Sequence, residues 1–279
     1  MPNGSLHRYG MIAGNGRFPL LALETAQREG HEVVVVAIEN EASPELSRLT
    51  RSLHWINIGQ LGKLIDILKR EGITEVMMTG QVKHVSIFSS VKPDWRLFKL
   101  LASLKEKNTA ALIGGVGKVL REEGIELVDS TRLLKNLLAP EGVLTARKPS
   151  KEEEADIRYG RRIAAFLASA DVGQSVAISE KACVAVEAME GTDAMLRRAA
   201  GLTSGKPLRL VKASHGRAHL LFDVPVVGLT TVETMKETGT TALALDAGRT
   251  LLLDKKDFLQ RANEADISVI AYPPCEQKA

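Results

Sequence analysis

Cysteine is scarce: Cys183 and Cys275 are the only two in 279 residues, far apart and in no Cys-x-x-Cys pair. That places the chain in a reducing compartment, with both thiols structural. A surplus of one charge sign is missing too. The net charge is only +3, so no global basic field points to nucleic acid. No apolar run approaches the length of a membrane span, and no charged segment followed by an apolar one stands near the start. The expectation is a cytoplasmic protein, with peripheral membrane contact left open. Internal repeats, low-complexity tracts and a Gly-x-Ser-x-Gly elbow are all absent. What remains is an ordinary globular composition, 44% hydrophobic and 25% charged, on a length that suits one large domain or two small ones.

The first half alternates strand and helix. His7–Ala13, Val33–Ile38, His54–Ile58 and Glu75–Thr79 read as strands. Leu20–Arg28, Pro44–Arg51 and Gln60–Arg70 read as the helices between them. This βαβαβαβ order predicts a doubly wound parallel sheet. Ligands of such sheets bind beyond the carboxyl ends of the strands, where Gly14–Pro19 and Gly80–Lys83 would lie. Helices follow at Trp95–Leu104 and Thr109–Glu122, then a strand at Ile125–Val128 and a short helix to Leu138. Ala139–Ser150, with two prolines, a glycine and basic residues, is read as a linker. Lys151–Ser169 is a helix with acids in its first turn. Beyond it the period shortens: a hairpin at Gln174–Ile178 and Cys183–Ala188, a helix from Gly191 to Ala200, and a strand at Leu208–Lys212. A second hairpin is expected from Thr241–Asp246 and Thr250–Leu253 around Ala247-Gly248-Arg249, then a helix at Lys256–Ala265 and a strand at Ser268–Tyr272.

The stretch Leu221–Glu233 draws the eye. An apolar run, Ala218–Phe222, delivers one carboxylate, Asp223. Pro225 then bars a regular ladder. Gly228 follows, and Thr230 or Thr231 would cap a helix starting near Val232. Strand, kink, glycine and helix N-terminus can hold one acid beside an anion site. By itself, the stretch is more simply read as a loop aspartate satisfying backbone N–H groups.

Other motifs vary in weight. Gly14-Asn15-Gly16-Arg17-Phe18-Pro19 is Gly-x-Gly-x-x-Pro and lacks the third glycine of a dinucleotide fingerprint, although Glu39 stands where a ribose-binding acid would. Gly114–Lys118 fails the phosphate-loop spacing, with Leu112 at the first glycine position and Val119 where a magnesium-binding hydroxyl belongs. His215 and His219 are four apart, but Gly216 intervenes, and they read as unrelated surface histidines. Glu187, Glu190 and Asp193 fall within seven residues at a strand-to-helix turn. Thr192 or Asp193 could simply cap the helix. A cap needs one such group, and the surplus would suit a hard cation such as magnesium. Lys212, ending the preceding strand, could face a phosphate.

Six segments stand in an order shared by one family: Gly14–Pro19, Thr79-Gly80-Gln81-Val82, Asp171-Val172-Gly173-Gln174, Glu187–Asp193, Phe222-Asp223-Val224-Pro225 with Gly228, and Ala247-Gly248-Arg249-Thr250. The chain resembles LpxI-type UDP-2,3-diacylglucosamine pyrophosphatases over nearly its whole length. The resemblance implies cleavage of UDP-2,3-diacylglucosamine to UMP and 2,3-diacylglucosamine 1-phosphate (lipid X) in lipid A synthesis. It also implies a divalent cation, given as magnesium, two domains with the acylated sugar held between them, and Asp223 as the essential aspartate. Attack on the β-phosphorus is implied as well. The sequence departs from the family at Ala218, His219, Leu220 and Leu221, where members carry Gln-Asp-x-Arg, and lacks an acid expected in the Asn108–Ala111 region.

The resulting expectation is an α/β protein: an N-terminal Rossmann-like parallel sheet domain (residues 1–138), the linker 139–150, and a C-terminal α+β domain (151–279). Asp223 is the catalytic candidate, and Asp193, Glu190 and Asp223 are the metal candidates. Gly14, Asn15, Gly16, Phe18, Pro19, Gly80, Gln81, Val82, Gln174, Gly191, Thr192, Lys212 and Gly228 are the substrate-binding candidates. A peripheral membrane contact and a homo-oligomer are further expectations. The rival readings are an NAD(P)-dependent oxidoreductase, favoured by Gly14, Gly16 and Glu39, and a non-catalytic nucleotide-sugar or lipid-binding protein, favoured by the departures before Phe222.

Overall fold

A computed structural model describes residues 7–82, 92–105, 109–214 and 224–275. The chain divides into two compact units, Met1–Leu134 and Lys135–Ala279. In the first, β1 (Arg8–Ala13), β2 (Glu32–Ile38), β3 (Leu53–Ile56), β4 (Glu75–Thr79) and β5 (Glu126–Leu127) form one parallel sheet in the order β3-β2-β1-β4-β5. β2 reads Glu-Val-Val-Val-Val-Ala-Ile, and every residue after the first is buried. A strand covered on both faces needs such an unbroken apolar run. Around the sheet lie α1 (Phe18–Arg28), α2 (Leu46–Leu49), α3 (Leu61–Arg70), α4 (Trp95–Ser103) and α5 (Thr109–Glu122). In α3 the apolar positions Leu61, Leu64, Ile65, Ile67 and Leu68 recur at helical spacing and are the buried ones.

The second unit carries a six-stranded sheet in the order β6-β13-β11-β9-β7-β8. Its strands are β6 (Gly142–Val143), β7 (Ser175–Ser179), β8 (Ala182–Val186), β9 (Leu208–Lys212), β11 (Thr240–Asp246) and β13 (Ser268–Tyr272). β9, β11 and β13 run parallel, while β6 and β7 lie antiparallel beside them. α6 (Lys151–Ser169) closes one face, with Ile157 and Ala164 against Ile178, Val211 and Ala244. α7 (Thr192–Leu202), α8 (Leu229–Glu237) and α9 (Lys255–Glu264) close the other through Met195, Leu196, Val232, Met235 and Phe258. No helix among the described residues is long and apolar enough to cross a membrane.

The structure corrects several expectations. Residues 139–150 are no free linker. Ala139 is fully buried, β6 pairs with β13, and Arg147 binds Glu153 through both guanidinium nitrogens at 2.7 and 3.1 Å. The glycine, Gly142, is itself part of β6, at φ +109°. The second hairpin is absent: β12 (Leu251–Leu252) pairs in parallel with β10 (Val226–Val227). Both edges of β11 are already taken by β9 and β13, so the returning chain finds no ladder beside it. α8 begins at Leu229 with Gly228 at its N-cap, and no side chain caps it, so neither Thr230 nor Thr231 has that role. α2 is a single turn instead of Pro44–Arg51. The helix before Leu138 is a 3-10 helix, Arg132–Leu137. The Ala218–Phe222 run lies outside the described residues, as do Lys83, His215 and His219.

Candidate functional site

The first rim of interest lies in the parallel sheet. β1 leads to β2 on one side, whereas β4 sits on β1's other side. That reversal makes the ends of β1 and β4 a topological switch point, and the general ligand position of such sheets lies beyond their carboxyl ends. The two motifs predicted there meet. Gly14 N–H donates to the Thr79 carbonyl at 2.8 Å, and Asn15 and Gln81 exchange backbone hydrogen bonds at 2.6 and 3.0 Å. A Cβ on Gly14 would stand 2.5 Å from the Gln81 oxygen. Gly80 has φ +79°, and its Cβ would stand 2.4 Å from the Asn15 oxygen. These glycines therefore serve loop-to-loop contact, a use that leaves no need for the dinucleotide reading. Phe18 and Pro19 are buried in the first turn of α1. Asn15, Gly16 and Gln81 are exposed on the rim, and Val82 is half-buried.

A second cluster forms at one end of the six-stranded sheet. β7 starts, and β8 and β9 end, at this edge, because β7 runs antiparallel to both neighbours. Lys212, closing β9, is buried. Its ammonium donates to Ser175 Oγ at 3.2 Å and Thr192 Oγ1 at 3.0 Å, and lies 3.8 Å from Glu187 Oε2. Thr192 Oγ1 donates to Glu187 Oε1 at 2.9 Å. Gly191, with φ +83°, lets α7 start at Thr192 so that its hydroxyl enters this cluster. Neither Thr192 nor Asp193 caps the helix. Gln174 accepts a backbone bond from Ala213 at 2.8 Å, and so adjoins the cluster through its main chain. Gly173 approaches so closely that a Cβ there would be 2.0 Å from the Glu187 oxygen.

The acids divide into different environments. Burial pushes the Asp193 carboxyl above its ordinary range, against the opposing influence of Arg197, Lys212 and a Thr231 hydrogen bond. Asp193 Oδ1 and Glu187 Oε2 are buried without a hydrogen-bond partner among the described residues. Glu190 is turned elsewhere: it accepts from the Arg198 guanidinium and, at 3.0 Å, from Ala188 N–H. Arg198 holds its carboxyl below the usual range. Among the described residues no three His, Cys, Asp or Glu side chains gather as a metal site. Of the three, Glu190 is held by Arg198 and Glu187 Oε2 lies 3.8 Å from the Lys212 ammonium, whereas Asp193 Oδ1 has no hydrogen bond among the described residues, although Arg197 and Lys212 act on it from farther off. Asp223 lies outside the described residues. Its described flanks are anchored: Asp246 accepts from Ser214 N–H and Oγ at 2.8 and 2.9 Å, and Leu251 N–H donates to the Pro225 carbonyl at 2.9 Å. Gly228 sits before α8, whose Thr231 reaches Asp193.

Ser175, Asp246 and Arg198 belong to none of the sequence's candidate site residues. Ser175 adjoins Gln174 and Asp246 adjoins Ala247, so motif adjacency was the available signal. Thr231 carried a different expected role, and nothing marked Arg198 among the surface arginines.

Comparison with known proteins extends these observations. A model of the LpxI N-terminal domain matches residues 8–137, and one of the LpxI C-terminal domain matches residues 140–270. The UDP-2,3-diacylglucosamine pyrophosphatase LpxI of Caulobacter vibrioides is 30% identical over 282 residues, covering 98% of this chain and 100% of that protein. Among solved structures, the biotin carboxylase domain of Hydrogenobacter thermophilus 2-oxoglutarate carboxylase aligns with 64% of this chain and 36% of its own, at 9% identity and a TM-score of 0.28, a likeness too slight to carry an argument. With both domains matched end to end and a full-length relative at that identity, the chain belongs to the LpxI family.

Proposed function

We propose that this protein hydrolyses the pyrophosphate of UDP-2,3-diacylglucosamine to UMP and 2,3-diacylglucosamine 1-phosphate. Water adds to the β-phosphorus, the bridging P–O bond breaks, and UMP leaves. The observation that carries this reading is the full-length relationship to a pyrophosphatase of that substrate. The meeting of Gly14–Pro19 with Thr79–Val82 in the first unit, and of Gln174 with Glu187 and Thr192 in the second, supports it. Asn15, Gly16 and Gln81 on the first rim would hold part of the substrate. In the second unit, Asp223 would orient the water. Lys212, Thr192 and Ser175 would fix the acid cluster of the same unit.

A divalent cation, expected as magnesium, belongs to the proposal. Magnesium is commonly bound by one or two carboxylates plus substrate phosphates. Asp193, with its unpartnered Oδ1, and Asp223 are the residues that would hold it; Glu190 is withdrawn to Arg198. When bound, the ion would neutralise phosphate charge.

Turnover of UDP-2,3-diacylglucosamine in ¹⁸O-labelled water, with mass spectrometry of both products, tests the reading. Label in 2,3-diacylglucosamine 1-phosphate and none in UMP is expected. Label in UMP would overturn β-attack while leaving the pyrophosphatase assignment. Tight substrate binding with no UMP release would establish a binding protein instead.

A further inference from the structure

We infer that the outer face of α4 docks on an anionic lipid bilayer. Trp95 is 76% exposed and Phe98 53% exposed, on a helix whose Leu97 and Leu100 are buried. The two rings stack with centroids 5.8 Å apart and planes at 23°. Trp95, Phe98 and Lys99 fall at i, i+3 and i+4, so they share one helix face. A soluble surface rarely spends a stacked tryptophan–phenylalanine pair on water. At a membrane interface such rings sit at headgroup level.

The charges around the pair select the partner. Residues 92–105 contain Lys92, Arg96, Lys99 and Lys105 against one acid, Asp94. Asp94 is consumed locally: Oδ1 accepts from Leu97 N–H at 2.9 Å and Oδ2 from Gly62 N–H at 2.6 Å. Arg96 is engaged by Glu123. Lys92 and Lys99 are exposed, and neither forms an ion pair with an acid among the described residues. An aromatic pair flanked by unneutralised lysines matches a surface with an apolar interior and anionic phosphates at its edge. The Gly62 bond ties the start of α4 to α3, and the Leu97 bond caps α4 itself, so the first turn of the face is fixed. The choice of a bilayer over a protein partner rests on the proposed substrate, whose two acyl chains keep it in a membrane.

Vesicle binding tests this without substrate, so the docking surface and the enzymatic reading fail independently. The full-length protein is sedimented with phosphatidylcholine vesicles, with and without phosphatidylglycerol. Partition should require phosphatidylglycerol. Lys92→Ala with Lys99→Ala should lower it by about tenfold or more, and Trp95→Ala with Phe98→Ala should abolish it while circular dichroism stays unchanged. In a Trp55→Phe background, where Trp95 is the sole tryptophan, its emission should shift to the blue on adding anionic vesicles. UMP release from substrate in detergent micelles should be unchanged in the Trp95/Phe98 variant. Unaltered partition of either double variant, or an unshifted emission, would overturn the inference. Loss of micellar turnover would assign the pair to the substrate, and loss of a self-associated form on gel filtration would assign it to a second copy of this chain; either result overturns bilayer docking.

Discussion

Asn15 and Gln81 exchange both backbone hydrogen bonds, at 2.6 and 3.0 Å, joining the loops at the ends of β1 and β4. This bridge makes the two glycine motifs of the first unit one structure, and it exists only because Gly14 and Gly80 have no side chains.

Gly80→Ala should therefore open the bridge. It adds both a left-handed backbone penalty and a methyl 2.4 Å from the Asn15 oxygen, a combined cost of about 1–3 kcal/mol. Urea unfolding should show the loss, and amide exchange at Asn15 and Gln81 should accelerate. Gly114→Ala, where the added methyl meets nothing within 4 Å, is the control and should stabilise α5. Equal midpoints for Gly80→Ala and wild type would show that the loops impose no constraint.

Lys212→Met should destabilise the second unit by roughly 3–5 kcal/mol, because Glu187 would keep a buried charge without its counter-ion. Adding Glu187→Gln removes that charge and should restore part of the loss. A double variant as unstable as the sum of the two single variants would show that the 3.8 Å pair is not energetically coupled.

The Arg147–Glu153 contact predicts a pH dependence. Burial raises the Glu153 carboxyl, but the Arg147 guanidinium, the Thr241 hydroxyl and Ser150 N–H outweigh it and hold the group below its ordinary value. The folded state thus favours the charged form. The resulting stabilisation is present above the unfolded value of about 4.3 and is lost as pH falls through the lower folded value. Glu153→Gln should lower stability at neutral pH and flatten the acid limb of the melting-temperature profile. An unchanged acid limb would remove Glu153 from the linkage.

Asp223→Asn keeps the side chain's size and removes its charge. If the carboxylate orients the attacking water, turnover should fall by about 10²-fold or more, with substrate affinity and unfolding midpoint retained. Near-normal turnover would take Asp223 out of the chemistry, and an unfolded variant would make it structural.

Much of the fold was legible because its signals are local. The β-branched run of β2, the acids opening α6 and the alternation of strands and helices each report their own segment. What escaped depends on competition between distant segments. Thr250–Leu253 has hairpin chemistry, yet the occupied edges of β11 send β12 to β10. Ala139–Ser150 has linker composition, yet Arg147 finds Glu153 and the Thr241 carbonyl. The same holds for the acids. Glu187, Glu190 and Asp193 look equivalent in sequence, but Lys212, Arg198 and burial give each a different state. Only the approach of β9 and the rotation of α7 decide which acid meets which cation.

β13 lies between β6 and β11 in the middle of a sheet half, although it follows every other strand in sequence. During synthesis the five strands of the first unit's parallel sheet are complete once residue 127 has left the ribosome, and that sheet can close. The second unit cannot. Until residues 268–272 emerge, β6 has no neighbour and one edge of β11 stays bare, a template for pairing with a foreign strand. The second unit's sheet is thus completed only after β13 has been translated, and a chain stalled before Tyr272 would carry an open, adhesive sheet edge.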